Sequence, residues 1–260
     1  MKNRKQTGFT LVEIAIVLVV IGLLLGGILK GQQLINSARV RNLADQNSGV
    51  QAAYFGFIDR FRSLPGDMNP TTACLKVSNT IANCGASPYA AATLGGNGNG
   101  RIDSIVEASA VWAHLSAAGF LNGTFSGVDA ASALLTTATY PSAVPTGGIP
   151  PNAFQGPILL AHTNDYIMGN VGSTTVRLAY SFGGNIPVPL LRDLDQKLDD
   201  GGAGTGVLRS AIEAADPAVD AAFGPVVAYT SGGLDCLNGT NPETWNVDSD
   251  NQTCNAVFLY

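Results

Sequence analysis

Residues 1–29 read MKNRKQTG followed directly by FTLVEIAIVLVVIGLLLGGIL. The first eight are short and polar, with Lys2, Arg4 and Lys5 among them. Residues 9–29 are apolar at almost every position, and one carboxylate, Glu13, sits five residues into the run. As a helix rising about 1.5 Å per residue, that run spans roughly 30 Å, the thickness of a bilayer's hydrocarbon core. A secretory signal peptide ends its apolar core in a small-residue cleavage site. Here the basic stretch comes first and the apolar stretch stays on the chain. Lys2, Arg4 and Lys5 before the span, with most of the chain after it, set an N-in, C-out topology. A carboxylate in hydrocarbon costs on the order of 3 kcal/mol, so Glu13 calls for a proton, an interface or a partner.

Gly8, Phe9, Thr10, Leu11, Val12 and Glu13, in that setting, resemble the class III leader of type IV pilins and type II secretion pseudopilins. The resemblance implies cleavage between Gly8 and Phe9 by a prepilin peptidase and N-methylation of Phe9. It implies a precursor held in the inner membrane, handed to an inner-membrane assembly platform, and packed with copies of itself and other pilins in a helical filament. In such a filament the α-amino group of Phe9 neutralises Glu13 of a neighbour, removing two unsatisfied charges from an apolar core and fixing axial register. Gly22, Gly26, Gly27 and Gly31 permit close helix approach and also weaken the helix. Related pilins often have a helix-breaking Pro where this chain has Lys30. The plain alternative is a single-span anchor with an incidental Glu.

Beyond the span, Leu34, Ile35, Ala38, Val40, Leu43, Val50, Ala53, Tyr54, Phe57, Ile58 and Phe61 recur at helical spacing with charged residues between them. No proline interrupts residues 9–64, which predicts one helix of about 50 residues. Leu64-Pro65-Gly66-Asp67 stops it. The organisation is then a cleaved leader at 1–8, a transmembrane and assembly half at 9–29, an amphipathic half at 30–64 and a globular head at 65–260. The head, roughly 190 residues, is large enough for a sizeable core.

Residues 68–100 read as loop, and residues 104–119 as a helix with Trp112 on its apolar face. A Pro-, Gly- and Thr-rich connector follows at 123–157. Strands are expected at 157–162, 165–170 and 174–182, a helix at 187–198, a short helix at 208–215, and last strands at 225–230 and 256–260. The expected fold is α+β: a long N-terminal helix, then an antiparallel sheet with extra helices, as in pilins. LPGD and the stretch NGNGRIDSIVEASAVWAHLSAAGFLNG are similar to a layout recurrent in large prepilin-like proteins of Gram-negative bacteria.

Four cysteines fall in two local pairs. In an oxidising compartment the economical pairing is Cys74–Cys84 with Cys236–Cys254, although four cysteines allow three pairings. The formal charge is −5, and loss of the leader takes it to about −8. Bulk charge therefore gives no attraction for a nucleic-acid backbone. Charged residues are 13% of the chain, which suits an exposed, loop-rich secreted surface.

His114 and His162 are the only histidines, and no nucleophile elbow, metalloprotease helix or phosphate loop accompanies them. No enzyme activity and no obligate cofactor are expected. Calcium is the one ligand to weigh, since the resemblance to major pseudopilins implies a carboxylate-rich loop near the C-terminus. Asp195, Asp199 and Asp200 beside glycines, and Asp248 and Asp250 within the second cysteine loop, are the candidates, with turn chemistry as the plainer explanation. Asn97, Asn99 and Asp103 sit at odd positions of a possible loop. Counted from Asn97, however, Arg101 takes the middle slot and no Glu falls twelfth. The sequence thus points to a major or minor pilin of a type IV pilus-like filament, lying outside the inner membrane once assembled. A type II secretion pseudopilin is the alternative, and a membrane-tethered ligand-binding protein is a third class.

Overall fold

The computed structural model describes residues 11–78, 80–81, 84, 94–127, 147–168, 171–172, 175–211, 236–239, 244–249, 251–252 and 254–260. The chain divides into two compact units, Met1–Arg39 and Val40–Tyr260. Helix α1, Leu11–Phe61, begins in the first and ends in the second.

In the first unit no described residue of α1 is buried. Leu11 is 91% exposed and Leu23 73%. A window of this helix reaches a mean hydropathy of 2.8, long and apolar enough to cross a membrane. Apolar surface so continuous and so uncovered needs lipid or other chains around it.

In the second unit the same helix acquires an inside face. Val40, Leu43, Asn47, Val50, Tyr54 and Phe57 are buried at alternating spacings of three and four, one stripe of an amphipathic helix. Leu34 and Ile35, expected on that stripe, are exposed, so burial begins at Val40. The helix ends at Phe61; Arg62 takes a left-handed φ of 54° and Gly66 a φ of 90°.

Helix α2, Pro70–Lys76, replaces part of the loop expected at 68–100. Its start is coded locally: Asn69 caps it by accepting from the Thr71 N–H, and Pro70 occupies the first turn, where its missing N–H costs nothing. Helix α3, Ile105–Ala117, is capped by Ser104, which accepts from the Glu107 N–H at 3.2 Å. Gly119 closes it with a φ of 80°. Glu107 through Leu115 are all buried, so α3 is a core helix covered on every side.

Strand β1, Leu159–Thr163, pairs antiparallel with β4, Arg177–Ser181. Two short strands, β2 at Ile167–Met168 and β3 at Val171–Gly172, make a hairpin between them. Strand β5, Leu208–Ser210, lies where a helix was expected at 208–215; these residues pair with β8, Ala256–Leu259, and residues 212–215 lie outside those described. The main sheet has the order β1-β4-β8-β5, with β8 bonded on both edges. Strands β6, Leu237–Asn238, and β7, Thr244–Trp245, form a second small hairpin. Helix α4, Val188–Leu198, buries Val188, Leu190, Leu191 and Leu194. The strand expected at 225–230 lies outside the described residues. Cys74 is bonded to Cys84 and Cys236 to Cys254, with Cα separations of 5.5 and 5.7 Å. The architecture is α+β and pilin-like: one long helix, then an antiparallel sheet with further helices.

Candidate functional site in the N-terminal helix and two acidic loops

Gly8 and Phe9 lie outside the described residues, and Glu13 stands exposed on the first turn of α1. The helix passes through Gly22, Gly26, Gly27 and Gly31 without a break. At each of the four, an added Cβ would meet no atom within 4 Å, so the backbone is open to close approach by another helix. Ile14, Val17, Leu24 and Ile28 are likewise exposed. Residues 3–29 match the family model of the prokaryotic N-terminal methylation motif.

The chain carries the class III prepilin leader of type IV pilins and pseudopilins.

No curated protein and no solved structure matches it. The matched residues take in Arg4 and Lys5, the Gly8–Phe9 junction and the apolar run with its carboxylate, Glu13.

The head of this prepilin-type chain holds two acidic loops. In the first, Asp195, Asp199 and Asp200 bring carboxylate oxygens within 4.8 Å of one another. Each is committed to the loop. Asp195 is fully buried and accepts from the Trp245 Nε1–H at 2.8 Å and the Gly201 N–H at 3.3 Å. Asp199 accepts from the Val207 N–H and from the Leu208 N–H at 3.1 Å. Asp200 accepts from the Gly202 N–H at 2.8 Å and the Thr205 hydroxyl at 2.6 Å. Burial lifts the Asp195 carboxyl to about 6, against the lowering effect of its bonds to Trp245 and Gly201. The Asp200 carboxyl is lowered by Thr205 and Gly202. These bonds fold residues 199–207 back so that β5 starts in register. Asp248 is exposed and outside this group, and Asp250 lies outside the described residues.

The second loop was only half legible in the sequence. Asp67, 2% exposed, reaches into residues 97–100: its Oδ1 accepts from the N–H groups of Gly98 and Asn99 at 2.9 and 3.1 Å, and its Oδ2 from Gly100 at 2.8 Å. Asn97 Oδ1 accepts from the Asn99 N–H at 2.9 Å, and Asn99 Oδ1 from the Arg101 N–H at 2.8 Å. Glu107, from α3, accepts from the Asp103 N–H at 2.8 Å. Burial, with Asp103 and Asp67 adding like charge, lifts the Glu107 carboxyl to about 7. Asp67 and Glu107 had no place in the sequence-level reading of this loop. The available signal was the LPGD corner, which puts a carboxylate just past a helix stop.

His114, fully buried on α3, accepts on Nδ1 from the Gly66 N–H at 2.9 Å. Burial lowers its pKa to about 4; the Leu94 carbonyl, beyond hydrogen-bond reach of Nε2, offsets this only in part. His162 lies within β1 rather than at its end. Its Nδ1 accepts from the Ile102 N–H at 2.9 Å, and burial and then Arg101 lower its pKa. Both act as neutral acceptors that hold loops to the core.

Proposed function

We propose that the chain is a structural subunit of a type IV pilus-like filament, cut between Gly8 and Phe9 and assembled through α1. The observation that carries this reading is the uncovered apolar helix directly behind a matched methylation motif, with Glu13 in its first turn. Lateral packing of such helices buries that surface. The pairing of Glu13 with the α-amino group of a neighbour's Phe9 satisfies the one charge within it. The head, fastened by two disulfides, then faces the oxidising exterior. Processing in the inner membrane by prepilin peptidase precedes assembly. The test is the intact mass of the chain in filaments sheared from cells. A mature chain beginning at Phe9 is expected, with processing blocked by Gly8→Leu. A filament chain that retains residues 1–8 sinks the reading. A chain that is processed but found only in the cell envelope reassigns it to a secretion pseudopilus.

A further inference from the structure

We infer that the cavity between the second half of α1, α3 and the turn after α3 binds a neutral aromatic molecule carrying a hydroxyl group.

The cavity has a volume of about 350 Å³. Its wall is built from Gln46, Gly49 and Val50 of α1, Trp112 of α3, and Phe120 and Phe125 beyond α3. That size, with an apolar lining and few polar groups, is the pattern of a small-molecule site. The wall is held by core packing. Gly119, with its left-handed φ, turns the chain at the end of α3, and the Phe120 ring then lies against α1. Glycine at 56 leaves that ring its place, since a Cβ there would come within 2.8 Å of it. The Phe57 ring meets Phe120 edge-on, with centroids 6.3 Å apart. Gly49 and Asn122, which also lines the cavity, are exposed, so the cavity opens to the surface beside them.

The independent observation is polar. Trp112 is fully buried, and its Nε1–H has no hydrogen-bond partner. Gln46 Oε1 is also buried without a partner, while Nε2 of the same amide donates to the Pro151 carbonyl at 3.1 Å. A buried tryptophan N–H ordinarily finds an acceptor, and an unmet one is costly. The two unmet atoms are one donor and one acceptor, on residues that line the same cavity. A hydroxyl supplies both matching halves: its oxygen accepts from Trp112 and its hydrogen donates to Gln46. The aromatic wall favours a ring packed against it. No charged side chain lines the cavity, so an ionised ligand would lose its water and gain no partner. A second copy of the chain offers the exposed apolar side chains Phe55 and Leu75, which carry no hydroxyl and leave both atoms unmet. The inference is independent of filament assembly, since every lining residue lies in the Val40–Tyr260 unit.

The experiment uses the mature full-length chain in lipid nanodiscs, with 2-naphthol as the probe and naphthalene as its counterpart without the hydroxyl. The two tryptophans give two indole N–H signals by NMR, assigned with Trp245→Phe. Trp245 already donates to Asp195 and serves as the internal reference. 2-Naphthol should move the Trp112 signal downfield and leave the Trp245 signal in place. Naphthalene should bind at least about tenfold more weakly, because it leaves donor and acceptor unmet. Gln46→Met removes the acceptor and should weaken 2-naphthol about tenfold while leaving naphthalene unchanged. Gly49→Leu should abolish binding of both. An added Cβ at 49 meets no atom within 4 Å, and leucine is the better helix former, so this variant keeps the fold while its side chain fills the cavity mouth. In the same nanodiscs it also measures the probe taken up by lipid alone. A Trp112 signal that stays in place up to the solubility limit of 2-naphthol overturns the inference. So does binding that Gly49→Leu retains, or naphthalene binding as tight as that of 2-naphthol.

Discussion

A single carboxylate in an apolar helix is tolerated when something is gained by it. Glu13 stands in the first turn of α1, in the half of the helix where no described residue is buried. In the filament reading it has one function, to meet the α-amino group that processing exposes on Phe9. Glu13→Val removes the charge without removing apolar surface, so insertion should survive and register should not. Membrane-fraction abundance of the variant is expected to match wild type, with filament yield down at least about tenfold, a loss of about 1.4 kcal/mol or more at each subunit addition. Blotting sheared and membrane fractions measures both. Wild-type filament yield from cells carrying only Glu13→Val would remove the pairing role. Asp67 shows the complementary case: its carboxylate is buried, but three backbone N–H groups converge on it. Burial of a charge is affordable when donors are held in place by the chain itself.

Among the elements, β8 ties the head together. It bonds β4 along one edge and β5 along the other, through Tyr180–Phe258 and Leu208–Phe258 pairs. Just past its end, the Tyr260 hydroxyl donates to Asn47 Oδ1 on α1 at 2.9 Å. Cys254, two residues before β8, is bonded to Cys236 and closes a loop of 18 residues. Chain-entropy estimates give such a closure about 3 kcal/mol. Cys236→Ser with Cys254→Ser should lower head stability by about that amount and expose the sheet to protease, while α1 still inserts in the membrane. Denaturant unfolding and limited proteolysis check it. Unaltered resistance would mean that strand pairing alone holds β8. Helix α3 carries the other structural burden, since Trp112 and His114 are both fully buried on it.

For the whole molecule, pH reports how the core is fastened. His114 must be neutral to accept the Gly66 N–H, and burial sets its folded pKa near 4 against an ordinary 6.5. A histidine with a lowered folded pKa gives its full stability above 6.5 and loses it as pH falls from 6.5 towards 4, here about 3 kcal/mol at most. His162, also lowered, acts in the same sense. Asp195 acts in the opposite sense, because its carboxyl is raised to about 6 and its burial becomes costlier as pH rises through that value. His114→Gln isolates the first effect. It should be less stable than wild type at pH 7, and the gap should narrow by about 2–3 kcal/mol at pH 4.5. A gap constant across that range would show that His114 does not set the acid limb.

How much of this was legible in the sequence depends on the range of the interactions. The long apolar run and its carboxylate follow from residues 1–29 alone, because hydropathy and helical rise act locally and the bilayer supplies the length scale. The long helix was legible for the same reason, although it ends at Phe61, where Arg62 turns left-handed, three residues before the Leu64-Pro65-Gly66 stop. The tertiary structure decided what depends on distant partners. Residues 208–210 became a strand because β8 offered them an edge, overriding a helical pattern in a short segment. Burial on α1 began at Val40 and not at Leu34, because a stripe is buried only where something packs on it. The turn at 97–100 could not be closed from its own residues, since the carboxylate that accepts from its backbone N–H groups, Asp67, lies thirty residues earlier and is brought back by the fold.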